Sequence, residues 1–122
     1  MTTSMEYEII DTSSVYVPLG YLFIAVEKRG IDESLFISKC LEKDDFSISA
    51  EEVNEIEIEE MLENIECLLD DLERSKMKSN IISKIKNIVT VGNLPHKLES
   101  WGGSFFIVCE ENIFYINWQR ES

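Results

Sequence analysis

The chain has 122 residues, of which 44% are hydrophobic and 10% aromatic, and its formal net charge at pH 7 is -13. This composition predicts one globular domain over residues 1–122, because disordered acidic chains are poor in large apolar residues. The charge argues against direct binding to nucleic acid or to anionic lipid, since both phosphate-rich surfaces would repel the protein. A partner that recognises this charge is expected to be a basic protein.

Compartment is indicated by the cysteines and by the apolar runs. Cys40, Cys67 and Cys109 are an odd number without CxxC spacing, and the N-terminus does not resemble a signal peptide. Reduced thiols and a cytoplasmic location are therefore expected. The most apolar run, residues 15–26, is shorter than the ~20 residues of a membrane helix and contains Pro18 and Gly20, so no membrane association is predicted.

The first third of the chain predicts two strands. Residues 6–11 alternate apolar and acidic side chains, which indicates a short strand with one wet face. Residues 20–26 are apolar on both faces and rich in β-formers, which is typical of an interior strand.

Residues 35–41 are ambiguous between strand and helix. Leu35 and Ile37 fit the alternation of a strand, whereas Asp32 and Glu33 fit the first turn of a helix. A strand is slightly favoured, because the residues before it would then connect a hairpin.

A helical segment is predicted over about residues 50–91. Ser49 and Glu52 have the spacing of a capping box, which places a helix start near Ala50. From residue 58 onward, seven apolar residues fall on one helical arc: Ile58, Met61, Leu62, Ile65, Leu68, Leu69 and Leu72. The turns before residue 58 are kinked, separate or extended on this reading.

A second helical pattern follows over residues 81–89, in a stretch that carries bases and no acids from Arg74 to Leu98. An antiparallel pair of helices with facing charges is therefore expected, ending near Gly92 and Pro95. Residues 104–110 and 112–118 are two β-rich runs that predict a central hairpin. Together the patterns predict an α+β fold, with an antiparallel sheet of four to five strands and the helical segment packed on one face.

The sharpest feature is acidic. Residues 42–73 contain fourteen acids and one base, Lys43. The net charge of this segment, -13, is therefore the net charge of the whole chain. Seven of these acids lie along one line of the predicted helix and are here named the acidic stripe: Glu52, Glu55, Glu59, Glu63, Glu66, Asp70 and Glu73. Like charges three or four residues apart oppose each other by ~0.2 to 0.5 kcal/mol per pair. A face that serves only solubility usually includes lysines, so we interpret the stripe as a partner-binding surface. A solvated face and a metal site are the alternatives.

Other chemistry is weakly indicated. A single histidine and scattered cysteines do not fit zinc, and the acids lack the loop spacing of a calcium site. Cys109 and His96 are the only nucleophile and base pair of interest, and Cys109 lies in an apolar strand pattern typical of a structural thiol. No enzyme activity, cofactor or metal is therefore predicted. Trp101, beside two glycines, is a candidate interface residue, whereas Trp118 is expected to close the core.

In its size and its acidic stripe the chain resembles the small acidic immunity proteins that bacteria make against secreted or contact-delivered nuclease toxins. The resemblance implies an inhibitor, monomeric or weakly dimeric, that occludes the basic cleft of a nuclease toxin domain. Two alternatives remain open. One is a phage-type nucleic-acid mimic that blocks a host defence complex, and the other is a structural or regulatory module whose acidic face is only solvated.

Overall fold

An antiparallel sheet with a helix on each face forms the framework of the molecule. The computed structural model describes residues 5–11, 19–30, 32–44, 54–94 and 102–120. The strands are β1 (Glu6–Asp11), β2 (Leu19–Lys28), β3 (Asn54–Glu55), β4 (Ile88–Leu94), β5 (Gly102–Cys109) and β6 (Asn112–Arg120). The helices are α1 (Glu33–Lys43) and α2 (Ile58–Arg74), and a short 3-10 helix spans Ile82–Lys84. The predicted α+β class is confirmed.

The strand order is β1-β2-β6-β5-β4-β3, and every neighbouring pair is antiparallel. Five strands have six or more residues, and β3 adds a two-residue edge. The predicted β5–β6 hairpin is central, with Phe106 opposite Tyr115. β2 lies beside it, with Ile24 opposite Ile116, which confirms the interior strand. These three strands are apolar on both faces because both faces are covered.

The two faces hold separate hydrophobic clusters. On one face, α2 contributes Met61, Leu68 and Leu72, which pack with alternate residues of the strands, among them Ile24 and Trp118. On the other face, α1 packs on the intervening residues. The members of that second cluster are Tyr21, Phe23, Ala25, Phe36, Ile37, Cys40, Phe106, Val108, Ile113 and Tyr115. The helical layer predicted for one face is therefore one of two.

The strand favoured for residues 35–41 is wrong. This stretch lies in α1, where Asp32 is the N-cap and its Oδ1 accepts a hydrogen bond from the backbone N–H of Leu35. Phe36, Ile37 and Cys40 are buried at helical spacing, while Leu35 is exposed. The capping residue and the 3-4 spacing outweigh the short apolar alternation that favoured a strand.

The helical segment is shorter than predicted. Its start near Ala50 and the Ser49 and Glu52 capping box lie outside the described residues, and β3 precedes α2, which begins at Ile58. The second helix predicted over residues 81–89 is wrong, because only the 3-10 turn forms and β4 follows. Ile88 and Val91 pair with β5, opposite Cys109 and Ile107. Isoleucine and valine favour a strand once such a partner exists.

The segment between α2 and β4 is hydrogen-bonded to β1 and also packs in the same hydrophobic cluster as α2. The carboxylate of Glu8 accepts hydrogen bonds from the Ser79 hydroxyl at 2.9 Å and from the Ile81 backbone N–H at 2.9 Å. The Nζ of Lys84 lies 2.8 Å from Oε2 of Glu6. The facing charges expected between two helices are therefore found between this segment and β1. Within the described ranges, no helix combines the length and apolar character needed to cross a membrane.

Candidate functional site

Five acids form an exposed ridge along α2. They are named the acidic row: Glu59, Glu63, Glu66, Asp70 and Glu73, and every one is exposed. Met61, Leu68 and Leu72, on the opposite side of the helix, are buried against the sheet. At 1.5 Å per residue, the row extends for about 21 Å. The acids therefore face solvent, as predicted, but the predicted apolar arc faces the core only in part: Ile58, Leu62 and Leu69 are exposed.

The other predicted site residues do not join this ridge in the described structure. Glu52 and Trp101 lie outside the described residues, and so does His96. Glu55 belongs to β3, where its backbone pairs with Gly92 of β4. Five of the seven acids of the predicted stripe therefore lie on α2, which begins at Ile58, and Glu55 does not.

The negative charge of the row is mostly uncompensated. Arg74 Nη1 lies 3.9 Å from Oδ2 of Asp70, and the two side chains are 60% and 61% exposed. An ion pair this exposed contributes little, about 0 to 1 kcal/mol. Glu59, Glu63, Glu66 and Glu73 form no ion pair within the described part of the chain. Their charges are available to an external cation.

The helix that carries the row is held firmly at its C-terminal end. Asp71 is buried, and its Oδ2 accepts a hydrogen bond from Nε1 of Trp118 at 3.1 Å. The Ser75 hydroxyl accepts one from the backbone N–H of Leu19 at 3.1 Å. Trp118 lies in the core, as predicted. These contacts attach the C-terminal end of α2 to β2 and β6, and the apolar side of the helix packs on the sheet along the row.

Two acids from the highly charged segment are core residues, which sequence reasoning missed. Asp71 is one, and Asp44, at the end of α1, is the other. Asp44 accepts hydrogen bonds from the hydroxyls of Tyr21 at 2.9 Å and Tyr115 at 2.8 Å, and from Nδ2 of Asn117 at 2.9 Å. The sequence did contain one signal for the burial of Asp71, because this residue lies beside the apolar arc on the helical surface of α2. No local pattern marks Asp44.

A third buried acid, Glu27, lies at the end of β2 on the α1 face. Its side chain is almost fully buried, and neither carboxylate oxygen accepts a hydrogen bond. Lys39 Nζ lies 3.7 Å from Oε1, and the Lys39 side chain is 37% exposed. The pair is an ion pair without hydrogen-bond geometry, so the burial of Glu27 is only partly offset.

The two buried cysteines, Cys40 and Cys109, behave as structural thiols. Burial raises the pKa of Cys40, and the neighbouring carboxylates of Asp44 and Glu27 raise it further. Burial also raises the pKa of Cys109, against the opposing effect of a backbone hydrogen bond from Lys86. A thiol with a raised pKa is a poor nucleophile. Cys67, on α2, is exposed. In the ranges that the structure describes, no three His, Cys, Asp or Glu side chains are grouped as metal ligands.

Comparison with known proteins gives no relative: no protein-family model, curated protein or solved structure matches this chain.

Proposed function

We propose that the protein binds a basic partner protein through the acidic row and inhibits it by covering its basic cleft. The partner is a secreted or contact-delivered nuclease toxin, and the protein is its immunity protein. The observation that carries the proposal is the row itself, a line of five exposed carboxylates with one weak ion pair on a firmly held helix.

The electrostatics of the row favour this use. Residues at three- and four-residue spacing have Cβ atoms about 5 to 6 Å apart, so the like charges of the row repel one another and destabilise the free helix. Binding of Lys and Arg side chains removes that repulsion, and carboxylate to Arg contacts are strong when they are bidentate. Nuclease domains use basic clefts to bind phosphate, so an acidic ridge about 21 Å long is complementary to such a cleft.

The mechanism is occlusion and requires no chemistry by this protein. A highly charged face also accelerates encounter, to about 10⁸ to 10⁹ M⁻¹s⁻¹ at low salt. Fast association suits an inhibitor that must act before its target damages the cell. In this proposal the protein acts in the cytoplasm, as a monomer or weak homodimer, with one partner molecule per copy.

The test is co-purification with a tagged copy from the source organism, at low and at high salt, with mass spectrometry of the retained proteins. The test variant reverses four charges of the row: Glu59→Lys, Glu63→Lys, Glu66→Lys and Asp70→Lys. A matched control makes the same change of net charge at exposed acids away from α2: Glu33→Lys, Glu42→Lys, Glu110→Lys and Glu111→Lys. Circular dichroism verifies that both variants are folded.

The proposal predicts one stoichiometric basic protein, with nuclease activity, retained by the wild type and the control and lost by the row variant. Retention should weaken at high salt, because the interaction between exposed charges is screened. Equal retention by both variants would show that the row is a solvated face. A retained partner that is not basic would also overturn the proposal.

A further inference from the structure

An apolar groove runs beside the acidic row. It lies between one flank of α2 and the segment that leads into β4, and its volume is about 660 Å³. The side chains that form its two walls are Ile58, Leu62 and Leu69 on α2 and Ile82, Ile85 and Ile88 opposite. Ile82 is buried, Ile85 and Ile88 are half-buried, and the α2 wall is exposed.

The α2 wall of this groove exposes large apolar side chains. Leu62 is 48% exposed, Leu69 46% and Ile58 38%. Single exposed leucines are ordinary on protein surfaces, but these three are contiguous along one flank of one helix. A contiguous apolar patch with a polar rim is characteristic of an interaction site.

The groove and the acidic row share a border. Along α2 the sequence alternates carboxylate and leucine at spacings of three and four, in the order Glu59, Leu62, Glu66, Leu69 and Glu73. Residues at these spacings are neighbours on a helix surface, so each exposed leucine lies between two carboxylates.

The opposite wall is different in charge. There the polar residues of the groove are Ser79, Ser83, Lys86 and Asn87, which include one base and no acid. A ligand in the groove therefore meets negative charge on the α2 side and neutral or positive charge on the other side.

We propose that the groove binds an amphipathic basic helix of the partner. Its apolar face enters the groove and its Lys and Arg side chains lie along the flank that faces the acidic row. This inference rests on the proposed function and adds the kind of segment that is recognised. From Ile58 to Leu69 the wall is about 16 Å long, which corresponds to about three turns of helix. Apolar anchors at positions i, i+3 or i+4, and i+7 span about 10 Å and so fit within this length.

A helix fits the wall geometry. The residues Ile58, Leu62, Ile65 and Leu69 form a stripe at four- and three-residue spacing, which is the spacing of side chains that pack against a second helix in coiled coils. A second copy of this chain is a poorer occupant, because its own acidic row would approach this one. Electrostatic repulsion between two chains of charge -13 opposes that contact.

The experiment uses two synthetic peptides of about 14 residues with the same leucine and lysine content. One has leucines at i, i+3, i+4 and i+7 with lysines on one flank, and the other has the same residues in scrambled order. Binding to each is measured by isothermal titration with the wild type, with Leu62→Ser/Leu69→Ser, and with the control Ile9→Ser/Leu35→Ser. The control residues are exposed to a similar degree, at 46% and 51%, and lie on β1 and α1.

We expect the wild type and the control to bind the amphipathic peptide more tightly than the scrambled one. Leu62→Ser/Leu69→Ser should lower the affinity for the amphipathic peptide by about tenfold and leave the affinity for the scrambled peptide unchanged. Equal affinity of the wild type for the two peptides would contradict the proposal. An unchanged affinity of Leu62→Ser/Leu69→Ser for the amphipathic peptide would contradict it too. Absence of binding by both peptides would overturn it as well.

The failure of the groove and the failure of the proposed function give different results. Glu63→Gln/Glu66→Gln should weaken both peptides, because both carry the same charge. If it does so while the leucine variant binds both peptides like the wild type, the result supports binding by the acidic row and excludes the groove as the binding site. If the leucine variant instead abolishes a concentration-dependent dimer in sedimentation velocity, the occupant is a second copy and the inference is wrong.

Discussion

Replacing Glu63 and Glu66 with glutamine should stabilise the free protein while weakening its binding to a basic partner. Both residues are exposed in the middle of α2, and glutamine has nearly the same helix propensity as glutamate. Their distance from the helix ends keeps any change in the interaction with the helix dipole small. The substitution therefore changes the charge of the acidic row and little else.

The magnitude follows from the positions of the neighbouring acids. Glu63 opposes Glu59, Glu60 and Glu66, and Glu66 also opposes Asp70, which gives four like-charge pairs at spacings of three or four. At ~0.2 to 0.5 kcal/mol per pair, their removal should raise the free energy of unfolding by about 0.8 to 2 kcal/mol at low salt. The Asp70 to Arg74 ion pair is left in place.

The assay is urea denaturation of wild type and variant at about 0.01 M and about 1 M salt, where the Debye length is about 30 Å and about 3 Å. The gain in stability should be present at low salt and nearly absent at high salt. Glu110→Gln/Glu111→Gln, in the turn between β5 and β6, makes the same charge change as a control and should give a smaller gain. A variant no more stable than wild type at low salt would refute the reasoning.

Three further predictions concern the buried acids and thiols. Asp44→Ala should lower the free energy of unfolding in urea by at least about 2 kcal/mol, because three buried donors lose their acceptor, and Asp44→Asn should cost less. Glu27→Met should leave the free energy of unfolding unchanged or raise it by up to about 2 kcal/mol. The substitution removes a buried charge, and the Lys39 side chain that loses its partner stays partly hydrated. Iodoacetamide should modify Cys67 in the native protein long before Cys40, as followed by mass spectrometry.

The raised pKa of Cys40 also sets a pH dependence. Because folding raises this pKa above its ordinary value of 9.0, the folded state favours the neutral thiol. Its contribution to stability is complete below about pH 9 and declines as the pH rises further. Thermal melts of wild type and Cys40→Ala between about pH 7 and about pH 11 measure this difference.

Each of these predictions has a clear contrary result. Asp44→Ala as stable as Asp44→Asn would mean that the three donors find other partners. A large loss of stability in Glu27→Met would show that the ion pair with Lys39 is strongly favourable. Equal alkylation rates of Cys40 and Cys67 in the native protein would contradict the burial of Cys40.

Strong, long patterns in the sequence predicted the fold well. The interior strand β2, the β5–β6 hairpin and the apolar arc of α2 were all expected, because runs that are apolar on both faces and arcs at helical spacing each favour one structure. The acidic row followed from the same arc, since the acids lie opposite it. The sequence predicted which side of the helix the acids occupy but not which acids α2 carries, because β3 precedes the helix and α2 begins only at Ile58.

The strand favoured for residues 35–41 was wrong despite a local signal, the Asp32 N-cap, whereas the other errors occurred where long-range contacts decide the outcome. Residues 81–89 have isoleucines in helical phase, but pairing of Ile88 with Cys109 across the sheet determines a strand. Burial of Asp44 depends on two tyrosines and an asparagine far away in sequence, so no local pattern predicts it. The apolar groove was likewise hidden, since Leu62 and Leu69 fit the core arc and only the structure shows them exposed.

The most direct test of the acidic row is carboxylate footprinting of the protein alone and in complex with the captured basic partner. Carbodiimide coupling of glycine ethyl ester followed by mass spectrometry measures the accessibility of individual carboxylates. We expect protection across the acidic row, from Glu59 to Glu73, and unchanged labelling of Glu33, Glu110 and Glu111. Protection of those three control residues, with the acidic row labelled as in the free protein, would contradict the account.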